Sequence, residues 1–107
     1  MTVLGPTLTL GQTTGPGAGP LSVTFSNGPG GGWVGLFPTG TSGPNGYVDW
    51  QWVTGSQTFS AQVNTLTSGT VTFPRAGMGP VSVGTYVYRW VKDGMVIAQS
   101  APLTVNP

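Results

Sequence analysis

Apolar and polar residues alternate in short runs along this chain, and clusters of glycine and proline separate the runs. Strict alternation over four to eight residues indicates a β-strand with one buried face, because successive side chains point to opposite sides of a sheet. Apolar residues nowhere recur with helical spacing, and the 19 glycines and 10 prolines would interrupt most helices. The pattern therefore predicts an all-β chain without helices.

The pattern predicts seven to nine strands in a single domain that covers residues 1–107. We expect strands at 7–10, 21–25, 33–37, 47–53, 70–73, 85–92, 95–98 and 103–105, and a weak strand at 59–63. Loops or turns are expected at 11–20, 27–32, 39–46 and 74–80, where Met78 is an ordinary loop residue. Asp93-Gly94 is a two-residue hairpin signal. Short strands at this spacing are typical of an Ig-like antiparallel β-sandwich of two sheets.

The two sheets are expected to differ chemically. The inner layer is expected to contain Leu21, Val23, Phe25, Val34, Leu36, Val71, Phe73, Leu103 and Val105. Threonines on the outward half of several strands indicate an ordinary solvated sheet, whereas most of the aromatic residues fall on the strands at 33–37, 47–53 and 85–92. We therefore expect any functional surface on the aromatic sheet.

The charge content excludes several classes of function. Only five residues are charged, and the net charge is +1. Nucleic-acid binding needs several Lys or Arg residues that neutralise several phosphates, and attachment to anionic lipid needs a basic cluster. Neither pattern is present. We therefore expect no nucleic-acid partner and no membrane partner.

Catalytic and metal-ligating groups are almost absent from the sequence. It contains no His and no Cys, and Asp49 and Asp93 are its only side-chain carboxylates. Asp93 is already explained by its hairpin turn, which leaves too few groups for a glycosidase carboxylate pair or a nucleophile with its base. We expect no enzyme activity, no dedicated metal site and no cofactor.

Four stretches resemble a known family. They are "WVGLFPTG", "YVDWQWVTG", "GTVTF" and "GTYVYRWVKDGMVIAQSAPLTV", and the pattern covers roughly residues 21–105. They resemble the Ig-like sandwich of SKICH domains and of accessory domains of secreted bacterial hydrolases. The chain also resembles carbohydrate-binding modules of family 81, which are appended to endoglucanases of soil bacteria. This resemblance implies binding of β-glucans and cellooligosaccharides on a flat face.

The residues themselves point independently towards a sugar ligand. A glucan chain is uncharged and has apolar C–H faces with a rim of hydroxyls, so its receptor needs flat aromatic rings and a few hydrogen-bonding groups. Trp50 and Trp52 lie two residues apart, so they share one face of a strand at a separation of about 6.5–7 Å. That separation is comparable to a glucosyl unit.

Which face of this strand is exposed remains open from the sequence. Simple alternation turns Asp49 and Gln51 towards water and both Trp residues inward. On the strand 85–92, "GTY" resembles the tyrosine corner of Ig sandwiches, which turns Tyr86, and with it Tyr88 and Trp90, inward.

Volume favours the opposite arrangement, because five more buried aromatic side chains would overfill a small core. We therefore expect at least one aromatic row to be exposed, and we expect Trp50 and Trp52 to face solvent if their strand lies at a sheet edge. Otherwise the reverse side would bind, with Arg89 either contacting ligand or paired with Asp49. The candidate carbohydrate-binding residues are Trp33, Tyr47, Asp49, Trp50, Gln51, Trp52, Arg89 and Trp90.

The sequence thus favours a non-catalytic module that binds β-1,4-linked glucans, with cellooligosaccharides, cellulose, mixed-linkage glucan and xyloglucan as candidate ligands. Such a module would be secreted as a monomeric part of a bacterial enzyme, and it would target a covalently linked glycoside hydrolase to plant cell-wall β-glucan. The alternative is an Ig-like protein-interaction or spacer domain of a secreted bacterial protein.

Overall fold

The structure is a computed structural model that describes residues 5–75 and 79–107. The described residues form nine strands and one short 3-10 helix. The strands are β1 (Thr7–Leu10), β2 (Thr14–Pro16), β3 (Leu21–Ser26), β4 (Trp33–Pro38), β5 (Asp49–Trp52), β6 (Gly69–Phe73), β7 (Gly84–Lys92), β8 (Met95–Gln99) and β9 (Leu103–Asn106), and the 3-10 helix covers Ala61–Thr65. Met78 and the middle of the expected turn at 74–80 lie outside the described residues.

The strands form two sheets that pack face to face. The smaller sheet has the order β1-β3-β6, and the larger sheet has the order β2-β9-β7-β4-β5. Along one side of β7, β9 pairs with the first residues and β8 pairs with the last ones, so these two short strands share one edge of β7. All pairs are antiparallel except β2 with β9. The predicted Ig-like β-sandwich is confirmed, with β5 as an edge strand of the larger sheet and β6 as an edge strand of the smaller one.

The core lies between the sheets and contains all nine apolar residues predicted for it. Trp90 is also fully buried there, and its ring contacts the Phe25 ring edge-on at 5.0 Å between centroids. The indole Nε1 donates to the Gly31 carbonyl at 3.0 Å. At Gly28 an added Cβ would come within 1.9 Å of the Trp90 ring, so the glycine-rich turn at 27–32 packs directly on this indole. Trp90 is a core residue, which corrects its place among the candidate ligand-binding side chains.

Two local predictions are confirmed, the hairpin by backbone dihedral angles and the tyrosine corner by a hydrogen bond. Asp93 and Gly94 have φ values of 53° and 77°, so both adopt the left-handed conformation that a tight two-residue hairpin requires. The Tyr86 hydroxyl donates to the Ser82 carbonyl at 2.8 Å, which is the hydrogen bond of a tyrosine corner. The tyrosine corner fixes the chain just before β7, and the hairpin turn fixes the connection from β7 to β8.

Two segments differ from the prediction. The weak strand expected at 59–63 is wrong, because the chain there enters the 3-10 helix Ala61–Thr65, whose single buried residue is Val63. The segment Thr14–Pro16 was expected to be loop, but it forms β2. A three-residue edge strand next to β9 needs only backbone hydrogen bonds, so no alternation marks it. Within the described part of the chain, no helix is long and apolar enough to cross a membrane.

Tyr88 is buried in the core next to Phe73, and the ring centroids are 5.4 Å apart. Its hydroxyl has no hydrogen-bond partner among the described residues. Burial raises the pKa of this hydroxyl above the ordinary tyrosine value of about 10, because the charged form would lose its hydration. The Tyr88 hydroxyl therefore lowers the stability of the fold, since burying an unpaired polar group costs free energy.

We expect Tyr88→Phe to raise the free energy of unfolding by about 1 kcal/mol at neutral pH. Above pH ~10 tyrosine loses its proton in the unfolded chain, whereas Tyr88 keeps it in the folded one. The wild type should therefore lose stability with rising pH, by at most ~1.4 kcal/mol per pH unit from this group. Urea denaturation of wild type and variant across this range should show the gap widening. Tyr47→Phe is the control, because Tyr47 is 47% exposed, and an equally widening gap there would contradict the assignment.

Candidate functional site

The outer surface of the larger sheet, opposite the core, carries the candidate site. Val34 and Leu36 of β4 point into the core, so alternation turns Trp33, Gly35 and Phe37 outward. Trp33 lies opposite Trp52, and Gly35 lies opposite Trp50. This register brings three indoles together on two neighbouring strands.

Six aromatic side chains form one contiguous cluster, which we call the aromatic face. Its members are Trp33, Phe37, Tyr47, Trp50, Trp52 and Phe59. The Trp50 and Trp52 rings lie 5.4 Å apart at 89°, and Phe59 continues the row at 5.4 Å from Trp52. Edge-to-face pairs of this kind are worth about 0.5–1.5 kcal/mol each beyond the area that they bury. The Trp50, Trp52 and Phe59 rings are therefore nearly perpendicular to their neighbours and do not form one flat surface.

Gly35 makes room at the centre of this cluster. A Cβ added at this position would come within 2.6 Å of Phe37 Cε1 and 2.8 Å of Trp33 Cζ3. The Trp33 and Phe37 rings stack over the bare backbone, with centroids 6.1 Å apart and planes 25° apart. A side chain at Gly35 would separate these two rings.

The aromatic face is only partly covered. Trp33, Trp50 and Trp52 are half-buried, Phe37 is buried next to Trp33, and Tyr47 and Phe59 are exposed. A shallow pocket of about 190 Å³ is lined by Trp33, Tyr47, Trp50 and Trp52. The structure thus places four of the eight sequence-predicted site residues around one pocket.

Asp49 is not at the surface, which corrects its expected role as a ligand-contacting carboxylate. It lies on the core side of β5 and is 2% exposed. Its carboxylate accepts hydrogen bonds from the backbone N–H and the Nε of Arg75, each at 2.9 Å, and from the Trp50 N–H at 2.9 Å. The alternative pairing of Asp49 with Arg89 is also wrong, because Arg75 is the partner.

Gln51 is likewise buried, and its expected exposure is corrected. The side chain is 4% exposed and donates from Nε2 to the Thr72 carbonyl of β6 at 2.7 Å. Since β5 and β6 are edge strands of different sheets, this hydrogen bond connects the two sheets at their edges. Alternation failed here because a polar side chain next to a sheet edge can find partners on the facing sheet.

Arg89 lies on the outer side of the larger sheet but is only 5% exposed. The expectation that it projects into solvent is therefore wrong. Its guanidinium lies 4.7 Å from the Phe37 ring centroid, a cation–π contact. Its nitrogens donate to Gln99 Oε1 at 2.9 Å, to the Thr41 carbonyl at 2.6 Å and to the Thr41 hydroxyl at 3.0 Å. Arg89 therefore holds the loop 39–46, which leads directly to Tyr47.

The outer edge of β5 is covered by the turn that follows it. The Trp52 N–H donates to the Ser56 carbonyl at 2.8 Å, and Gln57 Nε2 donates to the Trp50 carbonyl at 2.9 Å. These bonds satisfy backbone groups that an edge strand otherwise leaves to water. The turn therefore fixes the strand that carries both indoles.

Sequence reasoning missed two members of the aromatic face. Phe37 shares a strand face with Trp33 at a spacing of four residues, so alternation could have found it. Phe59 comes from a separate segment without regular pattern, and only the folded chain brings it to Trp52. Gly35 carried a signal too, since a glycine between two aromatic residues on one face of a strand indicates close packing above the backbone.

The pocket has no formal charge on its lining. Within the described part of the chain, no group of three or more acidic, His or Cys residues could hold a metal ion. The aromatic face can therefore offer stacking surfaces and the hydrogen-bonding groups of indole and phenol. No protein-family model matches the chain, and no curated protein is significantly similar to it.

We expect Gly35→Ala to disturb the aromatic face while leaving the sandwich intact. The new methyl group must displace the Phe37 or Trp33 ring, and Phe37 is held under the Arg89 guanidinium. The free energy of unfolding should fall by about 1–3 kcal/mol, as for other overpacked sites. Near-ultraviolet circular dichroism should also lose its aromatic signal in part.

Gly40→Ala is the matched control, because no atom lies within 4 Å of a Cβ at that position. Its stability and its near-ultraviolet spectrum should equal those of the wild type. A Gly35→Ala spectrum that also equals the wild type would contradict the packing described for the aromatic face.

Proposed function

We propose that this domain is a non-catalytic binding module for neutral β-1,4-linked glucans. The observation that carries the proposal is the pocket in which three indoles and one phenol converge on an outer sheet surface. Large aromatic side chains usually turn inward, and contiguous exposed groups of them mark binding sites. The aromatic face is such a group.

The absence of charge on the pocket lining supports an uncharged ligand. An anionic partner would find no complementary side chain there, whereas the C–H faces of a pyranose ring stack on aromatic surfaces without needing charge. The indole N–H and the phenol O–H add hydrogen-bonding groups for hydroxyls. Neutral polysaccharide is therefore the partner that this surface fits best.

The positions of the two carboxylates support a binding role rather than hydrolysis. Asp49 is buried on the core side of β5 and is paired with Arg75, while Asp93 lies in the β7–β8 hairpin turn. Neither belongs to the lining of the aromatic pocket. In this proposal the domain is secreted as part of a larger bacterial protein and brings a linked glycoside hydrolase to plant cell-wall glucan.

A protein-interaction or spacer role is the second candidate. It is favoured by Phe59, which is 55% exposed and has no hydrogen-bonding group, and by Val48, which is 39% exposed. Such apolar side chains are typical of the buried centre of a protein interface. A domain of this second kind would show no retardation in affinity gels that contain any glucan.

We expect Trp50→Ala to weaken binding to soluble glucans at least tenfold, or by about 1.4 kcal/mol, because Trp anchors of this kind dominate binding surfaces. The variant should fold normally, since Trp50 is half-buried and lies outside the core cluster. Affinity electrophoresis on hydroxyethylcellulose, mixed-linkage glucan and xyloglucan, followed by calorimetric titration, measures the effect.

Val83→Ala is the control, because Val83 is 65% exposed and does not line the pocket. It should bind as the wild type does. Affinity should also change little with added salt, because neither the pocket nor the ligand is charged. Wild-type affinity in a folded Trp50→Ala protein would refute the assigned face, and no binding of any glucan by the wild type would refute the function.

A further inference from the structure

A second groove of about 270 Å³ adjoins the aromatic pocket and shares Trp33 and Trp52 with it as a common wall. We call it the distal groove, and its other side chains include Phe59, Asn64, Lys92 and Asp93. We infer that the distal groove is a second sugar-binding subsite, so that the domain holds an internal segment of one β-glucan chain across both cavities. This inference rests on the proposed function.

The glycine-rich turn forms one side of the distal groove. Gly31 and Gly32 have φ values of +96° and +92°, a conformation that side chains rarely allow. A Cβ at Gly31 would lie 3.3 Å from Asn64 Oδ1 and 3.5 Å from Lys92 Cε. The missing side chain at Gly31 therefore leaves room for both Asn64 and Lys92 beside the turn.

The lining of the distal groove combines an aromatic surface with neutral hydrogen-bonding capacity. Phe59 stands at 79° to Trp52 and supplies an apolar side. Asn64 is exposed, and its carboxamide can both donate to and accept from a hydroxyl. Lys92 Nζ and Asp93 Oδ2 are 4.0 Å apart, so their charges largely cancel at the rim. A neutral ring with several hydroxyls fits this combination better than a charged or purely apolar group.

The angle between the indoles decides the form of the ligand. The Trp50 and Trp52 planes are 89° apart, so no flat surface can stack on both rings at once. A crystalline cellulose face would touch one of them, whereas a single chain can turn between neighbouring sugar units. This ligand form differs from the flat binding face that the family resemblance implies. A disaccharide can fill the aromatic pocket, but only a longer chain reaches the distal groove.

Calorimetric titration with cello-oligosaccharides from disaccharide to hexasaccharide tests the inference. Wild-type affinity should rise with chain length. Phe59→Ala and Asn64→Ala should each weaken hexasaccharide binding about three- to tenfold, the effect of one lost contact or hydrogen bond. Asn64→Ala should leave disaccharide binding unchanged, and Phe59→Ala should weaken disaccharide binding less than hexasaccharide binding. Trp50→Ala should weaken the binding of both the disaccharide and the hexasaccharide.

Asn106→Ala is the matched control for Asn64→Ala, because Asn106 is exposed on β9, which is separated from β5 by β7 and β4. It should bind every oligosaccharide as the wild type does. Asn64 is exposed, so thermal unfolding of Asn64→Ala should match the wild type, whereas Phe59→Ala loses an edge-to-face contact worth about 0.5–1.5 kcal/mol and should still fold.

Three results would overturn the inference. If both distal variants bind hexasaccharide with wild-type affinity while Trp50→Ala does not, the second subsite is wrong and the proposed function stands. If the wild type binds insoluble crystalline cellulose but no soluble hexasaccharide, the single-chain ligand is wrong. If the wild type binds no glucan, the proposed function fails and the inference fails with it.

Discussion

The side-chain alternation of β5 is the constraint on which the surface of this domain depends. Asp49 and Gln51 face the core side, where their hydrogen bonds reach Arg75 and the β6 backbone. Because neighbouring residues of a strand point to opposite faces, these two inward contacts turn Trp50 and Trp52 outward. A shift of one residue would leave two unpaired polar groups outside and bury two large indoles in a filled core. Closure of the sandwich edge and display of the aromatic face therefore have one cause.

The fold could be predicted from the sequence because its determinants are local. Alternation identified the core strands, Asp93-Gly94 identified the hairpin, and the "GTY" stretch identified the tyrosine corner. The candidate site was harder to predict because its geometry depends on contacts between distant segments. Asp49 meets Arg75 across 26 residues, and Arg89 meets Thr41 across 48. No periodic pattern within one strand encodes such partners, so the pattern alone does not distinguish polar residues that bind inside the fold from surface groups.

Arg89 shows how a charged residue can be structural in a nearly uncharged protein. Its side chain is satisfied by a carbonyl, a hydroxyl and a carboxamide, and no carboxylate accepts from it among the described residues. The guanidinium lies between the loop 39–46 and the Phe37 ring. The dipoles of its neutral acceptors and the aromatic ring stabilise its charge there in place of water. The aromatic face is thereby supported at two points, by the Arg89 guanidinium that packs on Phe37 and by the loop 39–46 that Arg89 holds next to Tyr47 in the sequence.

The turn at 55–57 also has a consequence for the behaviour of many copies together. A strand at the margin of a sheet, carrying two indoles and open backbone groups, is a template on which a second molecule could add a strand and begin a fibre. Here Ser56 and Gln57 already occupy the open groups of Trp52 and Trp50. A protein with so few charges has little electrostatic repulsion to keep its copies apart. This short turn therefore protects the chain from ordered self-association at the place where its surface is most adhesive.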